Sequence, residues 1–352
     1  MGTWRDYVRR VVPYTPGEQP NRQGMVKLNT NENPYPPSPA VTQALQDVQA
    51  GQLRLYPNPS AAGLTQALAA RYGVDPSRVF VGVGSDDVLA IAFLTFFNSG
   101  KPIFFPDITY SFYPVWADLY GIPYETKPLR EDFSLDSADY YPENGGVIFP
   151  NPNAPTSRYE ALSVLEDVLD HNQDCAVIID EAYIDFAGES ALSLLPKYEN
   201  LLVVQTFSKS RSMAGMRIGY AIGSAEMVKA MNDVKFSFNS YTMNQAAIAA
   251  GAAALSDEPY FQENTKKIVA TREKAAAKLR GLGFSFPEPC GNFIFATHRT
   301  CSARELFAAL READIFVRYF DKPRIDNYLR ITIGTDEQME RLFAFLRDYI
   351  KE

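Results

Sequence analysis

Histidine and cysteine are scarce: two of the first and three of the second in 352 residues. His171, His298, Cys175, Cys290 and Cys301 lie far apart in the chain. They offer neither metal-ligand spacing nor a disulfide framework, so no metal is expected and the thiols read as reduced, as in a cytoplasmic protein. Long apolar runs are missing too. The longest, Val88 to Phe97, is broken by Thr95 and is about half of a membrane-spanning helix. The opening residues, Met1 to Asp6, hold no apolar signal region, and Asp6 stands where a myristoylation signal needs Ser or Thr. An unanchored, unexported chain is the expectation. Basic charge is short as well, 34 residues against 42 acidic, with a net charge of −8 and no basic block. Nucleic acid and anionic membrane are therefore not expected partners.

Apolar mass is not short. Hydrophobic residues make up 46% and aromatics 13%, which excludes disorder as the main state, and the length suggests about two domains. Prolines from Pro13 to Pro59 punctuate the N-terminal stretch, which can be neither a long helix nor a central strand. It reads as an arm laid over something else, with one short helix at 39–48. Short apolar runs follow at 80–83, 102–105, 146–149, 176–179, 201–206 and 217–222. Helical patterns at 86–97, 113–120 and 159–170 separate several of them. Such runs predict a mostly parallel sheet buried on both faces. From Met243 the texture changes. An Ala-rich helix runs toward Leu255, and a charged helix over 259–279 is closed by Gly281 and Gly283. Strands near 292–296, 315–319 and 329–333, a helix at 303–313 and a last helix follow. Thr335 and Gln338 open that last helix as a capping box. The expected organisation is an arm at 1–35, a large α/β domain at 36–242 and a smaller α+β domain at 243–352.

Ligands of such sheets sit beyond the carboxyl ends of the strands. Those ends carry Gly84-Ser85-Asp86, the segments 107–110, 151–156 and 180–183, and Ser208-Lys209. A lysine just past a buried strand must be solvated, paired, neutral or covalently used. Thr206 and Ser208 precede Lys209 and Arg217 follows it, a set that suits a phosphate. A phosphate beside a Schiff-base lysine suggests pyridoxal phosphate. A surface turn with Lys209 in water is the competing reading. Asp180 can hold a pyridinium proton, with Tyr183 in reach of a ring oxygen, or it can cap a helix. The turn at Gly82-Val83-Gly84-Ser85 presents backbone N–H groups to a phosphate. As a dinucleotide fingerprint it fails, for want of a third glycine and a correctly spaced acid.

Taken in order, several segments resemble the fold-type-I pyridoxal-phosphate aminotransferases. They are Asn29 to Pro36, Tyr56-Pro57, Gly84-Ser85-Asp86, Asn151-Pro152-Asn153-Ala154-Pro155-Thr156, Asp180-Glu181-Ala182-Tyr183, Ser208-Lys209 and Gly215-Met216-Arg217. Pro13-Tyr14 with Pro16-Gly17, the Asn31-Glu32-Asn33-Pro34 block, and Leu329-Arg330-Ile331-Thr332-Ile333-Gly334-Thr335 are similar to the histidinol-phosphate aminotransferase branch. The resemblance spans about residues 7–350. It implies a large domain around a mostly parallel seven-stranded sheet, a homodimer, and amino transfer between L-histidinol phosphate and 2-oxoglutarate. Aromatic or broad-range aminotransferases and threonine-phosphate decarboxylases share much of the pattern and are the neighbouring readings. A nicotinamide dehydrogenase would account for the sheet but not for Lys209 or Asp180. A silent regulator would need a DNA-binding appendage, which is not seen.

The resemblance also implies roles. Lys209 would bond the cofactor, Asp180 would pair with the pyridinium nitrogen, Tyr183 would touch the ring oxygen, and Tyr110 would stack on the ring. Ser85, Asp86 through its N–H, Thr206, Ser208 and Arg217 would hold the phosphate. Tyr56 would reach the cofactor phosphate of the other subunit. Arg330 and Arg318 would grip substrate anions, with Tyr14, Asn33 and Asn292 nearby. Two positions depart from the family. Ala154 fills the slot of the asparagine that binds the ring oxygen, which leaves Asn153 as substitute donor. Ser157 replaces a glycine, so the turn after Thr156 is expected to differ. His171 and His298 read as surface or loop residues and Cys290 as a buried thiol. Phe236, Phe238 and Tyr241 read as packing, with polar Asn239 among them.

Overall fold

In the computed structural model, which describes residues 2–351, the arm holds little regular structure before β1 (Val26–Lys27). Arg341 donates to Gly24 O at 2.7 Å, and Arg311 and Arg22 pair with Glu18 and Asp314. Residues 18–24 of the arm therefore lie along the C-terminal part of the chain, while Tyr14 stacks on Phe112. Two helices follow, α1 (Pro39–Gln46) and α2 (Ala62–Tyr72).

The apolar runs then become the large sheet. Its strands are β2 (Val79–Gly82), β3 (Ile103–Pro106), β4 (Tyr124–Lys127), β5 (Val147–Pro150), β6 (Val177–Asp180), β7 (Leu201–Thr206) and β8 (Gly219–Ile222). Between them run α3 (Ser85–Phe96), α4 (Phe112–Tyr120) and α5 (Leu162–Asp170). The order is β2-β8-β7-β6-β5-β3-β4, with β8 antiparallel to both neighbours and the other pairs parallel. Val147, Val177, Ile179 and Val203 point into one core, while Ile148, Ile178, Leu202 and Val204 point into the other. Every residue of the five central strands is buried, so no polar alternation marks them in the sequence. Each such side chain removed from water contributes about 1.5–3 kcal/mol. The edge strand β4 is mostly exposed and polar, which hides it from a search for apolar runs.

Two more helices close the first half, α6 (Ala225–Phe238), whose first turn is capped by Ser224, and α7 (Gln245–Ser256), capped by Asn244. α7 packs on α1 and α2, and its Ala247, Ala250 and Leu255 belong to a core of the large sheet. The change of texture at Met243 thus marks a helix of the large layer. We propose that the next helix, α8 (Glu258–Gly281), carries the chain between the two domains. It ends as the glycines foretell: Gly283, at φ +92°, donates its N–H to Arg280 O. β9 (Phe284–Ser285), β10 (Phe293–His298), α9 (Ala303–Glu312), β11 (Ile315–Phe316), β12 (Arg318–Tyr319), β13 (Leu329–Thr332) and α10 (Asp336–Lys351) complete the chain. The antiparallel sheet β12-β13-β10-β9 packs with α8, α9 and α10, and β1 joins β11. Both capping-box bonds form, Thr335 N–H to Gln338 Oε1 at 2.9 Å and Gln338 N–H to Thr335 Oγ1 at 3.3 Å.

Two readings change. His298 is buried, its ring nitrogens taken by Leu282 O and by the N–H of Cys301, because it pins the turn after β10. Phe238, at 80% exposed, and Phe236 and Tyr241 lie on the surface of the single chain rather than in its core, Tyr241 stacked on the exposed ring of Tyr56. No helix among the described residues is long and apolar enough to cross a membrane.

Candidate active site

β5, β6 and β7 end at Pro150, Asp180 and Thr206, and β8, running the other way, begins beside them. These ends, with the start of α3, line a cavity of about 380 Å³. One end of it is a cup. Gly84, at φ +87°, precedes Ser85 and Asp86, the first residues of α3. A Cβ on Gly84 would stand 2.5 Å from Arg217 Nη2, and one on Gly219 would stand 2.3 Å from the Gly84–Ser85 backbone. Only glycine lets β8, the loop and the guanidinium meet so closely. Arg217 reaches Asp86 Oδ2 at 3.2 Å and Ala214 O at 3.3 Å. Thr206 Oγ1 lies 3.0 Å from Ser208 Oγ and accepts the Ser208 N–H at 3.1 Å. Free N–H groups at a helix start, two hydroxyls and a guanidinium fit a dianion.

The other end is acidic. Asp180 is 4% exposed; it accepts the Tyr113 hydroxyl at 3.0 Å and the Ala182 N–H at 3.2 Å. Burial outweighs those bonds and pushes its carboxyl up to about 6. A cationic ring nitrogen facing it would reverse that penalty. Tyr110 donates to Asp86 at 2.7 Å, and burial, with Asp86 nearby, raises its phenol well above the usual range. The Tyr183 hydroxyl oxygen accepts from Asn31 Nδ2 at 2.9 Å. Lys209 Nζ donates to Thr30 O at 3.2 Å and stands 5.7 Å from the Tyr183 ring centre.

Thr30, Tyr110, Ala154, Tyr183 and Lys209 also line a second cavity of about 140 Å³, which holds Tyr14, Arg318 and Arg330. Arg318 and Arg330 face each other across β12 and β13, each less than 6 Å from the ring centre of Phe320 (5.6 and 5.7 Å). Burial first, then Arg318, pushes the Arg330 guanidinium below its usual value. Arg330 donates to Asn29 O at 2.8 Å, but its Nε is buried without a partner. Among the described residues neither arginine is paired with a carboxylate. Two guanidiniums beside one aromatic ring, neither with a carboxylate partner, fit an anion.

Other expected residues lie outside both cavities. Asn33 spends its amide on Ser210 O at 3.1 Å and on the Tyr35 N–H at 3.0 Å. Asn292 is fully buried and holds Asn31 O at 3.0 Å. Asn153 donates to Ile108 O and Thr156 Oγ1, both at 2.9 Å, with its Oδ1 buried and unpartnered, while Ala154 lines both cavities. Tyr56 is 80% exposed and stacks on Tyr241, with ring centres 4.5 Å apart. Ser157 keeps a left-handed φ of 64°, and its hydroxyl accepts the Gly291 N–H at 2.7 Å. Tyr113, Asn31, Thr30 and Glu32 went unassigned in the sequence. Tyr113 had a signal, one helical turn past Tyr110; the others sit inside the Asn29 to Pro36 block, but only their folded contacts mark them.

Comparison with known proteins agrees with this geometry. The family model for aminotransferase class I and II matches residues 23–346. Histidinol-phosphate aminotransferase 1 of Hydrogenovibrio crunogenus is 51% identical over 348 residues, 99% of this chain and 98% of that protein. Histidinol-phosphate aminotransferase of Acinetobacter baumannii (strain SDF) is 53% identical over 353 residues, again 99% and 98%. The crystal structure of histidinol-phosphate aminotransferase from Sinorhizobium meliloti in complex with pyridoxal-5'-phosphate superposes with a TM-score of 0.83, at 26% identity, over 92% of this chain and 90% of that one.

Proposed function

The chain belongs to the aminotransferase class I and II family, among the histidinol-phosphate aminotransferases, and from that premise we propose that it exchanges the amino group of L-histidinol phosphate with 2-oxoglutarate in histidine biosynthesis, using pyridoxal phosphate. The observation that carries the reading is the place of Lys209, where a dianion cup, a buried carboxyl and an arginine pair converge.

Bound there, the cofactor supplies an electron-withdrawing ring that stabilises negative charge on the reacting carbon. Ser85, Asp86 N–H, Thr206, Ser208 and Arg217 fit its phosphate. Asp180 would hold a proton on the ring nitrogen, and Tyr113 keeps that carboxylate in place. Asn31 donates to the Tyr183 oxygen, which leaves the Tyr183 proton for the ring oxygen. Tyr110 covers a ring face. Lys209 Nζ, where the two cavities meet, would hold the cofactor and would take up and return the proton at the donor's Cα. Arg318 and Arg330 take the donor's phosphate in one half-reaction and a carboxylate in the other, because the guanidinium fork matches both.

We read the active unit as a cytoplasmic homodimer with a shared site. Leu53, Leu55, Tyr56 and Phe238 are exposed on the single chain, and Tyr56 serves neither cavity of its own subunit. A second copy covering that face supports the reading. A donor panel tests the substrate. With 2-oxoglutarate as acceptor, kcat/KM should be highest for L-histidinol phosphate. An equal or higher value for phenylalanine or tyrosine would transfer the protein to the aromatic aminotransferases.

A further inference from the structure

One charged group of the cofactor cavity has no role in the scheme above. Glu32 lines that cavity with Gln19, Thr30 and Lys209. Its Oε2 is committed twice, to an ion pair with Lys27 and to the Thr30 hydroxyl, which donates at 2.8 Å. Lys27 also donates to Thr30 at 2.6 Å, so the three side chains brace one another. Among the described residues no donor reaches Oε1. Burial opposes its charge, yet the bonds from Lys27 and Thr30 and the nearby Lys209 hold the carboxyl below its usual range.

The position of that free oxygen gives it meaning. The amine-bearing carbon of a donor must sit at Lys209, where the two cavities meet. One of its substituents carries the anion to Arg318 and Arg330. The other must leave along another wall, and Thr30, Glu32 and Gln19 form the polar one. A carboxylate oxygen only accepts. It suits an N–H or a cation and repels a second carboxylate. An imidazole keeps at least one N–H in either protonation state.

We propose that Glu32 is a specificity-determining residue, whose free Oε1 accepts the ring N–H of the donor while Lys27 and Thr30 hold Oε2. The proposal rests on the donor named above and deepens that reading.

Two ligands separate this role from a purely structural ion pair: L-histidinol phosphate, and L-phenylalaninol phosphate, whose ring has no N–H. Dissociation constants are measured by calorimetry on cofactor-loaded protein carrying Lys209→Ala, which cannot turn over, with Glu32, Glu32→Leu or Glu32→Gln. Loss of a charge-assisted hydrogen bond weakens binding roughly 10- to 100-fold. Glu32→Leu should lose that much for histidinol phosphate and nothing for phenylalaninol phosphate. Glu32→Gln, an acceptor without charge, should fall between. With Lys209 restored, Glu32→Leu should not raise KM for 2-oxoglutarate. Equal losses for both ring ligands, or no loss for either, overturn the proposal. A wild type that turns over 2-oxoglutarate with other donors but not with histidinol phosphate overturns the proposed function itself, and this inference with it.

Discussion

Asp180 gives a prediction in which stability and function move in opposite directions. In the cofactor-free chain burial lifts its carboxyl from 3.8 to about 6. The folded state then binds more protons than the unfolded state between those two values. Stability contributed by the protonated form is fully present below about pH 4, falls as pH rises to 6, and is lost above it. A shift of about two powers of ten corresponds to about 3 kcal/mol at pH 7. Asp180→Asn removes the charge and keeps an oxygen for the Tyr113 hydroxyl and the Ala182 N–H. Its amide brings donors that must find acceptors, which offsets part of the gain. The variant without cofactor should therefore be more stable than wild type by about 1–3 kcal/mol at pH 7. Glu181, pushed up to about 7 by burial, is common to both proteins and cancels in the difference. Urea unfolding of cofactor-free protein at a series of pH values from 4 to 8 reads it. The gap should close toward pH 4. With cofactor bound the order should reverse, since the lost carboxylate then faces a cation, and turnover should collapse. A wild type more stable than Asp180→Asn at pH 7 without cofactor, or a gap that does not depend on pH, would refute the reasoning.

Other perturbations follow from the same geometry. Arg330→Lys keeps the charge but loses the fork; KM should rise roughly 10- to 100-fold for both the phosphorylated donor and 2-oxoglutarate, with cofactor affinity little changed, and steady-state kinetics beside a cofactor titration would expose a misassignment if only cofactor binding suffered. For the shared site, Tyr56→Asp and Lys209→Ala should each be inactive alone. Co-refolded at equal ratio, about half of the dimers are hybrids with one native site, so about a quarter of wild-type activity should return; hybrids isolated by differential tags that stay inactive would place Tyr56 in its own subunit's site.

Much of this was legible before folding because the chemistry sits at strand ends. Apolar runs at 176–179, 201–206 and 80–83 located β6, β7 and β2, and with them the acid, the lysine and the cup. β4 escaped because an edge strand needs only one buried face and Tyr124–Lys127 is mostly exposed. α2 and α6 escaped as well; α2 carries small apolar residues on several faces, so periodicity does not single one out. Side-chain networks were least legible. Asn33 and Asn153 have the right chemistry for a ligand, but their amides are spent on backbone oxygens. Asn31 and Glu32, next to Asn33 in sequence, are the ones whose bonds lead toward the site, and only the fold of the arm over β13 decides that. Phe236, Phe238 and Tyr241 read as packing because aromatic rings favour burial; on a single chain all three stay exposed.

The central claim is that Lys209 carries the cofactor and that histidinol phosphate converts it. Borohydride reduction of the holoenzyme followed by peptide mapping tests both halves at once. The account predicts a pyridoxyl label on Lys209, and its disappearance when the enzyme is first incubated with L-histidinol phosphate in the absence of 2-oxoglutarate. A label on another lysine, or one that histidinol phosphate leaves untouched, would contradict it.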